Sequence, residues 1–261
     1  MRLWEYQLSH MSHNKITIQE GALVLSDAHY AHHLRPELLA FFQAIESGKI
    51  KTTQLLLFGD IFDALFGYIP YTYEQNKEVV ELLESISKKI EVVYLEGNHD
   101  FQLQEIFSNI TIFPLSAQPV ACSYNNTQGY MAHGDFDGAT GYKIYCALIR
   151  NSVLLRVLEP VDRLFNHAIL KKIDNHLGKK DDCKEFSGFE HYIQKHIENY
   201  NDADFFIEGH YHQNKTFTYG TLTYINLGAF ACNQRYFRVK STKDNKLTLQ
   251  EKQFVGEKKD G

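Results

Sequence analysis

Short apolar runs recur along the chain, and each is followed by polar residues within two positions. Four of them end at Leu25, Phe58, Leu95 and Ile207. Runs of this length that are rich in β-branched or aromatic residues and bounded by glycine are typical of buried strands. Residues 74–89 carry apolar side chains at helical spacing. This alternation of strand and helix predicts an α/β fold.

Five short motifs lie at or near the ends of strand-like runs. They are Ser26-Asp27-Ala28-His29, Gly59-Asp60-Ile61-Phe62-Asp63, Gly97-Asn98-His99-Asp100, His133-Gly134-Asp135 and Gly209-His210-Tyr211-His212. In open α/β sheets, the loops at the carboxyl ends of the strands converge on one crevice. We therefore expect the polar side chains of the five motifs to meet at one site.

The motifs supply seven candidate metal ligands, namely Asp27, His29, Asp60, Asn98, His133, His210 and His212. Oxygen and imidazole donors without a thiolate suit two borderline divalent cations that share one carboxylate. Such a pair clamps a phosphoryl oxygen and generates hydroxide at neutral pH. One such motif recurs by chance, but five in this order are not expected of ordinary turn residues. The pattern predicts a metal-dependent phosphoesterase.

Three segments depart from the strand–helix alternation. Residues 1–20 lack periodicity, which predicts an irregular lead-in to one domain at 21–255. Residues 139–200 carry helical patterns and predict a helical cap inserted over the site, called the insert below. From residue 217 onward, four strand-like runs without a helical pattern between them predict a second, largely antiparallel sheet.

The insert also differs from the rest of the chain in charge. Residues 139–180 include eight basic and three acidic side chains, whereas the net charge of the whole chain is −5. Its apolar helix faces could receive acyl chains, and its charge could steer an anionic substrate. The alternative is that the apolar stripe is the insert's own core and the basic residues are its solvated face.

Composition narrows the class of protein. With 261 residues, 44% of them hydrophobic, the chain can bury one substantial core. Its mildly negative charge gives no basic field for nucleic acid, and we expect no obligate protein partner. Without a signal peptide or a long apolar span, the expected location is the cytoplasm. The scattered cysteines Cys122, Cys146, Cys183 and Cys232 are expected to be reduced thiols there.

In these five motifs the chain resembles the calcineurin-like metallophosphoesterase superfamily. The resemblance implies a four-layer α/β/β/α sandwich of two mixed sheets with an inserted helical cap. It implies two divalent cations, with manganese favoured, although the donors would also accept iron or zinc. Asp27, His29 and His212 would hold one cation, Asn98, His133 and His210 the other, and Asp60 would bridge them.

The resemblance also assigns roles beside the metal site. His99 resembles the family's catalytic histidine, which stabilises the transition state or protonates the leaving oxygen. Asp100 would assist catalysis by fixing the orientation of an imidazole, or would cap its loop. Asp63 would brace the Asp60 loop, and Asp135 would support the ligands without binding metal.

A narrower resemblance is to the UDP-2,3-diacylglucosamine pyrophosphohydrolases of lipid A biosynthesis. It rests on residues 59–67, 97–101 and the insert, and it implies cleavage of this lipid-linked nucleotide sugar to UMP and 2,3-diacylglucosamine 1-phosphate. Tyr142, Lys143 and Arg150 would contact the substrate. The amphipathic substrate would allow peripheral contact with the inner membrane.

His99 stands where the best-known branch of those enzymes has arginine. An arginine would bind a diphosphate as a fork, whereas a histidine can titrate and donate a proton. This keeps open a metallophosphoesterase that acts on a soluble phosphodiester, nucleotide or phosphomonoester. A non-catalytic scaffold on the same fold is disfavoured because all seven candidate ligands are present.

Overall fold

The computed structural model describes residues 15–31, 35–136, 140–177 and 183–255. Its strands, in chain order, are β1 (Ile16–Thr17), β2 (Leu23–Leu25), β3 (Gln54–Leu57), β4 (Leu65–Phe66), β5 (Glu91–Leu95), β6 (Asp100–Phe101), β7 (Thr111–Phe113), β8 (Val120–Tyr124), β9 (Thr127–Ala132), β10 (Phe205–Glu208), β11 (Lys215–Tyr219), β12 (Leu222–Asn226), β13 (Arg235–Ser241) and β14 (Leu247–Gln253). The described α-helices are α1 (Glu37–Glu46), α2 (Pro70–Ser87), α3 (Thr140–Ile149), α4 (Ser152–Leu164), α5 (Ala168–Leu177), α6 (Phe189–His196) and α7 (Phe230–Asn233).

The strands form two six-stranded mixed sheets. The first has the order β1-β8-β9-β10-β12-β11, and the second has the order β14-β13-β2-β3-β5-β7. In the second sheet, β2, β3, β5 and β7 run parallel, and β13 joins β2 antiparallel. β4 and β6 pair separately as a small parallel ladder.

Alternate residues of the central strands pack on opposite faces, which builds three apolar layers. Leu55 and Leu57 face α1 and α2, whereas Leu56 lies between the two sheets. Likewise, Phe206 packs against α6, while its neighbour Ile207 lies between the sheets. The predicted α/β/β/α sandwich is therefore confirmed, with the second sheet under α1 and α2 and the first under α6.

The C-terminal strands correct one expectation. The runs after residue 217 do not form a sheet of their own, because β11 and β12 extend the first sheet and β13 and β14 extend the second. The four-residue helix α7 separates the two hairpins. Strand periodicity predicts each hairpin, but it does not say which sheet edge receives it. A helix of one turn is also too short to show helical spacing.

Regular structure begins nearer the N-terminus than expected. Residues 1–14 lie outside the described residues, but Ile16–Thr17 pair with β8, and Ile16 and Ile18 are buried between the sheets. This two-residue strand is part of the sandwich rather than of an irregular lead-in. Two apolar residues at alternate positions are too few to identify a strand from sequence.

The cysteines correct a second expectation. Cys183 and Cys232 form a disulfide with a Cα–Cα distance of 5.6 Å, while Cys122 and Cys146 are free and buried. The two partners are 49 positions apart, so the spacing alone could not reveal the pair. The bond ties Cys183, which precedes α6, to α7.

The insert supplies α3, α4, α5 and α6 between β9 and β10. Several of its apolar side chains lie in solvent, among them Val153, Val157, Leu164 and Phe165.

Within the described ranges, none of the helices has both the length and the apolar character needed to span a membrane.

Candidate metal centre

The candidate ligands lie just beyond the carboxyl ends of strands from both sheets. Asp27 follows β2 and Asp60 follows β3, while His133 follows β9 and His210 follows β10. Ligand atoms within 4.8 Å of one another form the groups Asp27–His29–His212, Asp60–His133–His210 and His29–Asp60–His99. The two sheets thus bring residues up to 185 positions apart to one crevice.

Five of the seven candidate ligands have left-handed backbone. The φ values are 51° for Asp27, 46° for His29, 50° for Asp60, 62° for His210 and 59° for His212. Residues other than glycine are uncommon in this region. Each strained conformation costs about 1–3 kcal/mol and persists only where the surrounding structure holds it. Backbone strain at so many neighbouring polar residues indicates a functional site.

Hydrogen bonds between the loops hold this strained backbone. The Asp27 N–H donates to the Gly59 carbonyl at 3.1 Å, and the His29 N–H donates to the Asp60 carbonyl at 2.9 Å. The His210 N–H donates to the Asp27 carboxylate at 3.0 Å. Each loop is therefore fixed by its neighbours rather than by its own sequence.

Asp27, His29 and His212 form the first cluster. His212 Nε2 lies 3.1 Å from Asp27 Oδ1. Although burial raises the pKa of the Asp27 carboxyl, the nearby His212 outweighs it and lowers that pKa to about 2. His29 Nδ1 lies 3.0 Å from Asp63 Oδ1, so the ring presents its other nitrogen, Nε2, to the site.

Asp60, His133 and His210 form the second cluster. His133 donates from Nδ1 to the Phe58 carbonyl at 2.7 Å, which leaves Nε2 3.3 Å from Asp60 Oδ2 and 3.2 Å from His210 Nδ1. Burial and the neighbouring His133 lower the pKa of His210 to about 3, so its imidazole stays neutral. A neutral imidazole keeps the lone pair that a metal ligand needs.

Among the buried side-chain atoms without a hydrogen-bond partner in the described residues, two could donate a lone pair to a metal from a predicted ligand. They are His29 Nε2 and Asn98 Oδ1, both of which belong to predicted ligands. Burying a polar atom without a hydrogen bond is unfavourable, so such atoms call for a missing partner. Together with the carboxylates and neutral imidazoles around them, these atoms fit divalent cations.

The comparisons with known proteins decide the family. The model of the calcineurin-like phosphoesterase family matches residues 22–214, which include all five motifs. The chain belongs to the calcineurin-like phosphoesterase family. This family uses divalent metals, in agreement with the donor atoms described above.

A curated relative is similar to part of this phosphoesterase. The "UDP-2,3-diacylglucosamine hydrolase" of Aromatoleum aromaticum is 26% identical over 115 residues, which are 44% of this chain and 47% of the relative. The match thus spans about half the length of either protein.

Solved structures of two phosphoesterases are also similar. A dimetal phosphatase from Danio rerio is 13% identical with a TM-score of 0.47, covering 90% of this chain and 96% of the other. A novel archaeal phosphodiesterase is 12% identical with a TM-score of 0.43, covering 88% and 99%.

Two aspartates beside the ligands, Asp63 and Asp100, have different hydrogen-bond partners. Asp63, not Asp100, hydrogen-bonds an imidazole, that of His29. Asp100 instead braces the Asp60 loop, because its carboxylate accepts the N–H groups of Asp60 and Ile61 at 3.0 and 2.7 Å and also that of Gly97. Both residues lie in ligand-bearing motifs, so spacing could not say which carboxylate faces a ring. Of the two roles left open for Asp100, orienting an imidazole or capping its loop, the hydrogen bonds correspond to the second.

His99 lies at the edge of the metal centre. Its N–H donates to Asp60 Oδ1 at 2.8 Å, and its ring Nδ1 donates to the Asp63 carbonyl at 3.0 Å. Because Nδ1 is used in the second hydrogen bond, Nε2 is the ring nitrogen available to other groups. This orientation is compatible with the predicted catalytic role, which stays a prediction.

Of the three predicted substrate contacts, the structure describes the side chain of Arg150 alone. The side chains of Tyr142 and Lys143 lie outside the described residues. Arg150 is only 11% exposed and donates to the Gly97 carbonyl and the Asp135 carboxylate, at 2.8 and 3.2 Å. These bonds hold Arg150 within the protein, while its Nε and Nη1 atoms have no hydrogen-bond partner among the described residues, so the predicted substrate contact stays a prediction.

Two supporting residues were not identified from the sequence. The Tyr94 hydroxyl donates to Asp100 at 2.5 Å, and the Gln118 side chain accepts the His133 N–H at 2.6 Å. Tyr94 appears in the sequence as one more apolar strand residue, and Gln118 lies outside every motif. Only the assembled sheets reveal their contacts.

Proposed function

We propose that this phosphoesterase hydrolyses the pyrophosphate of UDP-2,3-diacylglucosamine to UMP and 2,3-diacylglucosamine 1-phosphate, a step of lipid A biosynthesis. The observation that carries the proposal is an apolar cavity of about 660 Å³ beside the metal centre. Asp63, Asn98 and His99 line it at the metal end. The curated relative's name supports the same substrate.

The cavity is open to solvent on one side and is lined mainly by side chains suited to hydrocarbon. Its apolar lining comes from the body and from the insert: Phe66, Ile69, Phe101, Ile149, Leu154, Leu155, Leu158, Ile169 and Leu170. Leu154 and Leu158 remain 36% and 45% exposed, so the insert does not bury them as its own core. Each methylene buried there would contribute about 0.8 kcal/mol to binding. Acyl chains match this lining better than a soluble nucleotide does.

The proposed ligand set assigns two cations, with Mn²⁺ as the proposed metal. Asp27, His29 and His212 would hold one cation, Asn98, His133 and His210 would hold the other, and Asp60 lies between the clusters. When bound, the cations supply Lewis-acid polarisation of the phosphoryl group and a lowered pKa of water.

The chain's own residues would position and protonate the substrate. Asp63 orients the His29 ring through Nδ1 and, through its carbonyl, the His99 ring. With Nδ1 donating to that carbonyl, the neutral His99 ring has no hydrogen on Nε2, so only the protonated ring would donate from Nε2 to the leaving phosphate oxygen.

The outer face of α4 would contact an anionic lipid surface. Val153, Val157 and Leu164 form an exposed apolar stripe on it. Exposed basic side chains lie in α4 and in the following helix α5. Arg163 of α4 is 67% exposed, and Lys171 and Lys172 of α5 are exposed as well. Apolar residues bordered by basic ones suit the interface of a membrane with anionic lipids.

The decisive experiment follows UMP release from UDP-2,3-diacylglucosamine in detergent, using metal-stripped protein with and without Mn²⁺. We expect release only with Mn²⁺. Mn²⁺-dependent cleavage of bis(p-nitrophenyl) phosphate without UMP release would retain the phosphoesterase and reject the lipid substrate.

A matched pair of variants tests the cavity. Leu158→Asp places a charge among the cavity's apolar walls, whereas Val157→Asp places it on the outer face of the same helix. We expect Leu158→Asp to raise KM for the diacylated substrate about tenfold, equivalent to about 1.4 kcal/mol, with little change for Val157→Asp. Equal effects of the two variants would contradict acyl binding in the cavity.

His99 supports a second candidate function. In its protonated form a histidine with an unoccupied Nε2 can protonate the leaving oxygen of a simple ester, which fits a soluble phosphodiester, nucleotide or phosphomonoester. Turnover of such substrates in preference to the diacylated one, unaffected by Leu158→Asp, would favour this candidate.

A further inference from the structure

Arg150 extends from the end of α3 into the base of the metal centre. Its Nη2 atom donates to the Gly97 carbonyl at 2.8 Å and to Asp135 Oδ2 at 3.2 Å. Its Nη1 atom lies 4.0 Å from Glu96 Oε2. One guanidinium from the insert therefore contacts two loops of the body.

Both loops carry proposed ligands of the same cation. Gly97 immediately precedes Asn98, and Asp135 follows His133 by two positions. The two N–H groups of Nη2 join these loops, since one is used for each. Supports of this kind outside the ligand set fix the orientation of ligands and tune metal affinity.

The surroundings hold Arg150 in this position. Its guanidinium lies over the Phe101 ring, 5.4 Å from the ring centre, and its carbonyl accepts from Gln102 Nε2 at 2.7 Å. Two buried carboxylates, Asp135 and Glu96, lie beside its charge. Removing the arginine would leave buried negative charges without their counter-ion, which is strongly unfavourable.

We propose that Arg150 is a positioning residue through which docking of the insert sets the relative placement of the Asn98 and His133 loops, and so the affinity of the cation between them. The inference rests on the proposed ligand set. It assigns Arg150 to metal-site assembly instead of substrate contact.

The test is a calorimetric titration of metal-stripped protein with Mn²⁺. In Arg150→Met, we expect one of two binding events to weaken by about 10–100-fold while the other changes less than threefold. Arg150→Lys keeps the charge and should show a smaller loss. The matched control is Arg156→Met, because Arg156 also belongs to the insert but lies over Tyr68, 4.1 Å from the ring centre. This control should bind both cations as the wild type does.

The outcomes separate the inference from the function it rests on. Two wild-type binding events that persist unchanged in Arg150→Met, with a raised KM for substrate, would overturn the inference in favour of substrate contact. Fewer than two events in the wild type would reject the ligand set and the inference with it.

Folding is checked by the unfolding transition of each variant. If Arg150→Met does not fold, Asp135→Asn weakens the same link from the other side. It should weaken the same Mn²⁺ event, and an unchanged titration would overturn the inference.

Discussion

The metal-ligand loops and the insert follow opposite designs. Asp27, Asp60 and His133 are at most 2% exposed, and their loops hydrogen-bond one another at the edges of two sheets. In α4 of the insert, by contrast, Val153 is 65% exposed and Leu164 82% exposed. In the loops, buried contacts hold a strained backbone geometry, whereas the insert leaves apolar surface exposed to solvent.

This difference teaches what each region needs for its task. Ligands must be held to within fractions of an ångström before a cation arrives, which requires rigid supports. A surface that accepts acyl chains or a lipid interface only needs apolar area in roughly the right place. We therefore expect substitutions in the loops to act on metal binding and stability, and those on the apolar faces of the insert to act on lipid substrates.

The largest effect is expected at Asp60, the carboxylate between the two clusters. Asp60→Asn removes the charge but keeps the size, and its oxygen can still accept the His99 N–H. Because supporting residues alone change activity 10–100-fold, we expect a loss of more than about 100-fold here, together with loss of at least one Mn²⁺. Turnover of bis(p-nitrophenyl) phosphate and metal content measure both.

Asp244→Asn is the control for that substitution, since Asp244 is exposed and remote from the motifs. It should keep wild-type turnover and metal content. An Asp60→Asn variant that matched it would reject the proposed bridging carboxylate.

The disulfide between Cys183 and Cys232 connects the insert covalently to α7, which hydrogen-bonds the Asp27 loop. Cys232 lies in α7, where the Phe230 and Ala231 N–H groups donate to the carbonyls of Ser26 and Asp27. Replacing both cysteines with serine should lower the free energy of unfolding by about 2–4 kcal/mol, chiefly by relaxing the unfolded chain. Urea denaturation measures the change.

Reduction of the wild type by a dithiol should lower the urea midpoint in the same direction. A wild-type midpoint that a reductant leaves unchanged would mean that the pair is not bonded in solution.

Two glycines compare the packing of the regions directly. A Cβ on Gly97 would collide with the Asp60 backbone N at 2.6 Å, whereas a Cβ on Gly141 in α3 would meet nothing within 4 Å. Gly97→Ala should lower the free energy of unfolding by about 1–3 kcal/mol and weaken Mn²⁺ binding. Gly141→Ala should raise the free energy of unfolding by up to about 1 kcal/mol, because alanine has a higher helix propensity than glycine.

Thermal unfolding with and without Mn²⁺ tests both variants. Equal effects of the two would contradict the contrast between tight loops and an open insert.

The same contrast explains what sequence could predict. Strands β2, β3, β5 and β10 and the motifs after them are visible because strands buried on both faces appear as continuous apolar runs. The roles of Asp63 and Asp100 depend on which backbone lies opposite each carboxylate, and the Cys183–Cys232 pair depends on how α7 packs. Such long-range geometry leaves no trace in local spacing. The contacts of Arg150 with Gly97 and Asp135 are likewise long-range and could not be predicted from local spacing.

The smallest effect on the folded protein is expected on the outer face of α4. Leu164→Glu replaces a side chain that is 82% exposed, so the free energy of unfolding should change by less than about 0.5 kcal/mol. Turnover in detergent should also stay unchanged, because Leu164 does not line the cavity. Sedimentation with vesicles containing anionic phosphatidylglycerol should nevertheless fall, since the variant loses apolar contact and adds a like charge. Leu164→Ala is the matched control, which removes apolar area without adding charge, so its binding should lie between the two. If all three proteins bind such vesicles equally, or none binds them, the apolar stripe of α4 is not a membrane contact, and its exposure needs another partner.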